Sequence, residues 1–185
     1  MQPVILDIDT GVDDALALAV ALAQPDLRLI AVTTVAGNVD VGQATRSTRL
    51  VLDWLGARSI PVAKGAAGPL LREHRDARAY HGPDGLGGAV LPVRRSGPIL
   101  DTSAPEVIVR AARRYAGQLC LICLAPLTNL AIALRLEPEL PFLIDRVIVM
   151  GGAFAVTGNV TPAAEFTVWS DPEAASLVAQ AGFRM

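Results

Sequence analysis

An apolar run, Val4-Ile5-Leu6, leads into Asp7-Ile8-Asp9-Thr10-Gly11-Val12-Asp13-Asp14, and a second apolar run, Ala15-Leu16-Ala17-Leu18, leads out of it. No other stretch constrains the fold so tightly. The first run reads as a strand, and in a strand Asp7 and Asp9 point the same way because side chains alternate with a period of two. Gly11 permits a sharp turn. Asp13 and Asp14 then fall in the first turn of a helix, where negative charge suits the macrodipole. A helix end cannot offset that many clustered carboxylates alone. They stay ionised only with hydrogen-bond donors or a cation among them. The stretch therefore predicts a hard metal ion at the end of a strand.

The rest of the chain repeats the strand–helix alternation. Val4–Asp9 is followed by a helix from Val12 to Gln24 that stops at Pro25-Asp26. Leu27–Val35 reads as a second buried strand, Val39–Gly56 as an amphipathic helix, and Ile60–Ala63 as a short third strand. Residues 64–100 are rich in Gly and Pro with few periodic apolar positions, and read as a long loop. Ser103 and Glu106 have capping-box spacing at the start of a helix running to Ala116. Gln118–Leu124 is the next strand, Pro126-Leu127-Thr128-Asn129 opens another helix, and Phe142–Met150 is a further strand. Asp171-Pro172-Glu173 starts a last helix, with proline in its first turn. Continuous aliphatic strands separated by amphipathic helices indicate an α/β fold, a parallel sheet covered on both faces in three layers. No internal repeat or linker interrupts it, so residues 1–185 read as a single domain. In such sheets ligands bind at the carboxyl ends of the strands, where Asp9, Asn38, Thr128 and Met150 fall.

Composition narrows the function classes. Hydrophobic residues make up 52% and charged residues 18% of the 185, a globular balance. A net charge of −2 gives no basis for capturing nucleic acid or an anionic membrane. The densest basic group, Arg72, Arg75 and Arg78, is broken by Glu73 and Asp76 and reads as a solvated loop. Asp7 and Asp9 interrupt the N-terminal apolar segment, so it is no signal peptide. Cys120 and Cys123 lie in an aliphatic strand with no second pair nearby and read as core packing. No disulfide framework is indicated, which points to the cytoplasm.

Several readings of the acidic stretch compete. An EF-hand loop counted from Asp7 would need Gly and Glu where Val12 and Leu18 stand. Aspartyl-phosphate phosphatases of the haloacid dehalogenase type also begin with a strand and D-x-D, but continue in Gly-Thr order with a later lysine. Here the order is Thr10-Gly11 and the one lysine is Lys64. Helix capping alone explains one aspartate rather than a cluster. Asp7-Ile8-Asp9-Thr10-Gly11-Val12-Asp13-Asp14-Ala15 resembles the fingerprint of the inosine–uridine-preferring nucleoside hydrolases. Four more segments agree in order: Thr34–Asn38, His81-Gly82-Pro83-Asp84-Gly85-Leu86-Gly87, Pro126–Ala131, and Met150-Gly151-Gly152 with Ala164-Glu165-Phe166. The resemblance runs from end to end of the chain.

That resemblance implies a Rossmann-like three-layer α/β/α nucleoside hydrolase fold and calcium-dependent hydrolysis of the N-glycosidic bond of ribonucleosides. Asp9 and Asp14 would ligate Ca2+ with the Thr128 carbonyl, and Asp7 would support the site. Asp9 would take the proton of a calcium-bound water as it attacks C1′ through an oxocarbenium-like transition state. Asp13 and Asn38 would hold ribose hydroxyls, with Asn159 at the ribose as well. Asp13 and Glu165 would stabilise the developing positive charge, and Met150 would lie beneath the sugar. His81, in the Gly-rich loop beside Asp84, is the candidate for contacting or protonating the leaving base, and His74 reads as surface. The partner is a small-molecule ribonucleoside, and the family favours homodimers or homotetramers.

Two departures stand out. Thr167 occupies the place of the family's usual Asn after Ala-Glu-Phe, offering one hydroxyl in place of an amide, which bears on the ribose 5′-hydroxyl. The chain also stops at Ala181-Gly182-Phe183-Arg184-Met185, which reads as the approach to another strand. The family continues with another calcium-ligating Asp and a histidine near the base. The resemblance thus implies a C-terminally incomplete domain, with a ribose- or nucleoside-binding fragment or scaffold as the non-enzymatic alternative.

Overall fold

The computed structural model describes residues 1–92 and 96–185. Among the described residues six strands form one wholly parallel sheet in the order β4-β3-β2-β1-β5-β6. They are β1 (Gln2–Ile8), β2 (Leu27–Thr34), β3 (Val62–Lys64), β4 (Ile99–Leu100), β5 (Leu119–Cys123) and β6 (Ile144–Val149). The helices are α1 (Val12–Ala23), α2 (Val41–Trp54), α3 (Arg78–His81), α4 (Ala104–Arg114), α5 (Thr128–Leu136), α6 (Leu140–Leu143), α7 (Phe166–Ser170) and α8 (Pro172–Gln180). The α/β architecture follows from the strand composition. β1 is apolar on both faces, so it must be covered on both. Ile5 packs with Leu121 against Ile108 of α4, Leu130 of α5 and Val178 of α8. Val4, Leu6 and Ile8 pack with Val32 against Leu18 of α1 and Val51 and Leu52 of α2 on the other face.

From β1 the chain builds outward through β2, β3 and β4 on one side, then returns to lay β5 and β6 on the other. The strand order therefore reverses between β1 and β5. Crevices at such reversals, beyond the carboxyl ends of the strands, are where open α/β sheets bind ligands. The caps are those the sequence announces. Ser103 donates from its backbone N–H (3.1 Å) and its hydroxyl (2.7 Å) to Glu106 at the start of α4. Asp40 accepts from Gln43 N–H at 2.9 Å at the start of α2. Cys120 and Cys123 are buried and free. Their odd spacing puts them in opposite cores, so they can neither pair nor share a metal, and core packing is what they do. Among the described residues no helix is long and apolar enough to cross a membrane.

The structure differs from the sequence-based outline in four places. The stretch 64–100 is not wholly loop. It contains the single turn α3 and the two-residue β4, both too short to show a period, and its residues 93–95 lie outside the described ones. The strand expected from Phe142 starts at Ile144, because Leu140–Leu143 forms a turn of helix with proline in its first turn. Between Met150 and Asp171, where the sequence shows no regular element, lies α7. His74, expected at the surface, is half-buried, with Nε2 3.0 Å from the Gly37 carbonyl. The Arg72–Arg78 group is exposed but paired: Arg72 with Glu173, Arg78 with Asp40 and Asp76, and Arg75 over the Trp169 ring at 5.8 Å.

Candidate active site

The β1–α1 turn lies at the strand-order reversal and carries the carboxylates inward. Asp7 is wholly buried and Asp9 and Asp14 nearly so. Asp7 points as Ile5 does, toward the start of α5, where its Oδ1 accepts from Asn129 Nδ2 at 2.8 Å and from Thr33 Oγ1 on β2 at 2.6 Å. Its Oδ2 is buried without a partner. Burial pushes the Asp7 pKa up to about 6 against the pull of those two hydrogen bonds. Asp9 accepts from Asn38 twice, from the backbone N–H at 2.7 Å and from the side-chain Nδ2 at 3.1 Å. Asp14 Oδ2 accepts from Gly11 N–H at 2.7 Å, which closes the first turn of α1.

Asp9 and Asp14 are close enough that the charge of one acts on the other. Burial raises Asp9 to about 7, and burial together with the Asp9 charge lifts Asp14 well above the usual carboxylate range. The turn is held open to this arrangement by its backbone. Thr10 takes the left-handed conformation (φ 46°), uncommon for a residue with a side chain, while its hydroxyl donates to the Ala44 carbonyl at 2.8 Å and lies 2.6 Å from Thr48 Oγ1. Gly37 is required for close approach, since a Cβ there would overlap the Asp9 carboxylate.

Around Gly11 the structure gathers three of the other expected site residues. A Cβ there would stand 2.8 Å from Asn38 Nδ2, 3.0 Å from His81 Cε1 and closer still to Asp13 Oδ1. His81 Nδ1 accepts from Val12 N–H at 3.3 Å and lies 3.9 Å from Asp13 Oδ1. The Asp13 side chain is 65% exposed and faces the solvent side of the crevice. Asn38, expected on a ribose hydroxyl, here spends its amide on Asp9.

The other expected residues form a second group beyond β6. Glu165 caps α7 and accepts from Gly152 N–H at 2.8 Å, Thr167 N–H at 2.8 Å and Val168 N–H at 3.3 Å. A Cβ on Gly151 would lie 3.3 Å from Glu165 Oε2 and 3.4 Å from Thr167 Cβ, so Thr167, itself buried, packs beside this glycine. Asn159 Oδ1 accepts from Phe166 N–H at 2.8 Å, and Met150, at the end of β6, is 41% exposed. Thr128, at the start of α5 beyond β5, is buried and donates its hydroxyl to Asp171 Oδ2 at 2.6 Å.

Sequence reasoning gave no role to two residues that join these parts. Asn129 holds β1, β2 and the long loop together: it donates to Asp7 and to the Thr34 carbonyl (2.9 Å) and accepts from Ala66 N–H (2.9 Å). Asp171 was visible only as a helix start. Asn129 sits inside the Pro126–Ala131 segment, so its place was marked although its partners were not.

The donor set for a cation is all oxygen. Among the described residues no three His, Cys, Asp or Glu side chains form a group that could hold a metal. Asp9 and Asp14 offer two carboxylates, and the Thr128 carbonyl and water are the other kinds of donor such a site would draw on. Two buried carboxylates that raise each other's energy, with a third carrying an unpartnered oxygen two residues away in sequence, are the surroundings a hard cation relieves. The residues fit such an ion in kind and supply part of its shell.

Comparisons with known proteins place the chain in a family. Residues 4–185 match the family described as inosine-uridine preferring nucleoside hydrolase. A probable uridine nucleosidase 2 from Arabidopsis thaliana is 42% identical over 183 residues, covering 98% of this chain and 56% of that protein. The solved structure of a plant nucleoside hydrolase superposes with a TM-score of 0.93 at 39% identity, over 98% of this chain and 57% of the other. A purine-preferring ribonucleoside hydrolase from Gardnerella vaginalis gives a TM-score of 0.93 at 33% identity, over 98% and 58%. The chain thus spans little more than half the length of these relatives.

Proposed function

Because the chain belongs to the inosine–uridine-preferring nucleoside hydrolase family, we propose that its β1–α1 turn serves the hydrolysis of the N-glycosidic bond of ribonucleosides to ribose and free base. The observation that carries this reading is the buried pair Asp9 and Asp14, each within the other's field and placed where the strand order reverses. Calcium suits the all-oxygen donor set. It takes about six to eight oxygen ligands, of which Asp9, Asp14 and the Thr128 carbonyl would be three protein sources. When bound, it would supply Lewis acidity toward water and an anchor for a vicinal diol.

The chain's own residues then divide the work. Asp9 accepts the proton of the attacking water. Asn38 fixes the Asp9 carboxylate through two hydrogen bonds, so its orientation does not depend on the ligand. Asp7, anchored to β2 and α5, holds the turn from below and adds negative charge beneath the reacting centre. As C1′ becomes positive, Asp13 and Glu165 stabilise it electrostatically, and Asp13 and the Asn38 amide oxygen, which Asp9 leaves free, hold ribose hydroxyls. Met150 offers its thioether to the sugar face, Asn159 and Thr167 line the far side, and His81 protonates or contacts the leaving base.

The test is ribose release from uridine and from inosine, since the relatives' names include both base classes. Release by the wild-type chain that calcium supports, and that chelator and Asp9→Ala both abolish, is the expected result. Release that survives both would sink the proposal. Calorimetric binding of either nucleoside without any release would favour a binding module instead.

A further inference from the structure

Asp171 stands where three parts of the chain meet, and the chemistry above gives it no part. It is wholly buried. Its Oδ1 accepts from Ala174 N–H at 3.0 Å and caps α8. Its Oδ2 accepts from Thr128 Oγ1 at 2.6 Å and from Leu70 N–H at 2.9 Å. Capping explains the first bond. The other two join it to residues 43 and 101 positions away, one in the turn after β5 and one in the stretch that follows β3.

From Leu70 that stretch runs directly over the site. His74 Nε2 meets the Gly37 carbonyl at 3.0 Å, and Ala77 N–H donates to the Asn38 carbonyl at 3.0 Å. α3 then brings His81 to Val12 N–H. Gly37 and Asn38 are the residues packed on Asp9, so where Leu70 is held decides where the stretch meets them. The neighbouring Arg72–Glu173 pair is exposed, with side chains 50% and 30% accessible, and a pair in that setting contributes little. The buried anchor is Asp171.

We infer that Asp171 is a positioning residue that sets the register between the Thr128 turn and the segment carrying His74 and His81. The inference deepens the hydrolase proposal and rests on it for its purpose, since that is the site the segment covers. A carboxylate is the group the junction needs: two acceptor oxygens meet three donors. An amide brings an NH2 group. Whichever way Asn were turned, either Ala174 N–H or the Thr128 and Leu70 donors would lose their acceptor.

The chain's two histidines, His74 and His81, both lie on this segment, so their imidazole C–H resonances report its position without turnover. Asp171→Asn should displace both resonances and raise amide exchange over residues 70–77 by at least about tenfold, while the strand amides of β1 and β5 keep their protection. Arg72→Ala, which removes only the exposed ion pair beside it, should leave both resonances where they are. Thr128→Val keeps the α8 cap and deletes one long-range bond. It should displace the same two signals, and it stands in if Asp171→Asn does not fold. Unmoved histidine signals in both folded variants, or the same displacement in Arg72→Ala, would overturn the inference. Ribose release measured on the same samples separates it from the hydrolase reading. Displaced signals in a chain whose wild type releases no ribose keep the positioning role, and unmoved signals in an active chain remove it.

Discussion

The β1–α1 turn holds Asp7, Asp9 and Asp14 by burying them between strands paired on both sides, whereas the segment of residues 65–92 holds His74 and His81 by separate hydrogen bonds to what lies beneath. In the turn, charge is packed against charge with few donors, and Asp7 Oδ2 has none. In the segment the anchors are mostly neutral and spread out: Ala66 on Asn129, Leu70 on Asp171, Ala77 on Asn38, and the Asp84 carbonyl on Ser47 Oγ at 2.7 Å. The turn is a store of electrostatic energy that a cation or a proton can release. The covering segment is a device for geometry. Losses in the turn should therefore appear in chemistry and pH dependence, and losses in the segment in positioning and stability.

The largest expected effect is on chemistry. Asp9→Ala should lower kcat/KM for ribose release by about 10²–10⁴-fold, the range for loss of a positioned general base. Folding should be retained, because the substitution relieves a buried charge. A variant that loses activity by unfolding, seen as loss of near-ultraviolet circular dichroism, would contradict the picture of a strained turn.

The same strain sets a pH dependence with a definite sign. Burial raises Asp9 to about 7 and Asp7 to about 6 in the folded protein, from 3.8 for the free groups. Between pH about 4 and about 7 the folded state therefore holds protons that the unfolded chain has released. Stability is fully present below the free value of 3.8 and is lost as pH rises from there through those folded values, by a sum on the order of several kcal/mol. In chelator, Tm should decline over that window, and Asp9→Asn should flatten the decline. Calcium should raise Tm more at pH 7.5 than at pH 5, because above the folded pKa the cation replaces the proton. A metal-free Tm that rises over the window would show that the turn is not under strain.

How much of each region could be read beforehand follows from the same contrast. The turn is written in consecutive residues, so a period of two and one glycine suffice to place Asp7 and Asp9 on one side and Asp14 in a helix start. The sheet was legible for the same reason, since apolar strands such as Ile5–Leu6 and Leu119–Leu121 announce burial on both faces. The covering segment is written in pairs. Leu70 and Asp171 lie 101 residues apart, and nothing in either neighbourhood names the other. His74 looked solvated among Arg72, Glu73 and Arg75 because its partner is a backbone carbonyl, which leaves no mark in the sequence. β4 and α6 escaped notice because two and four residues cannot display a period. The roles proposed for Glu165 and Asn159 rest on resemblance alone, because each makes the local contacts that any helix cap or turn would make.

The point where the two regions touch tests whether geometry and charge are separable. Gly85 has φ +77°, and a Cβ there would collide with the Thr10 carbonyl of the turn. Gly85→Ala should cost about 2–3 kcal/mol by denaturant titration, through both the left-handed backbone and the lost contact. It should also move the His81 resonance while leaving the metal-free pH profile of Tm unchanged. A changed profile would mean that the segment sets the turn's electrostatics as well as its cover.

The smallest effect is expected where the segment uses charge at the surface. Arg78 pairs with Asp40 at 2.8 Å and with Asp76 at 2.7 Å, but its side chain is 39% exposed and the Asp40 side chain 54%. The Asp40 carboxyl lies below its usual range chiefly because it accepts from Gln43 N–H, a bond Arg78 does not make. Arg78→Ala should therefore change stability by no more than about 0.5 kcal/mol, and less in high salt, since solvent and ions screen such pairs. The α2 cap should survive, because Gln43 N–H keeps its acceptor. If instead the variant lost as much stability as Gly85→Ala, the covering segment would depend on its surface ion pairs as much as on its neutral anchors. The division between a charged turn and a neutral cover would then fail at the surface, where it is easiest to measure.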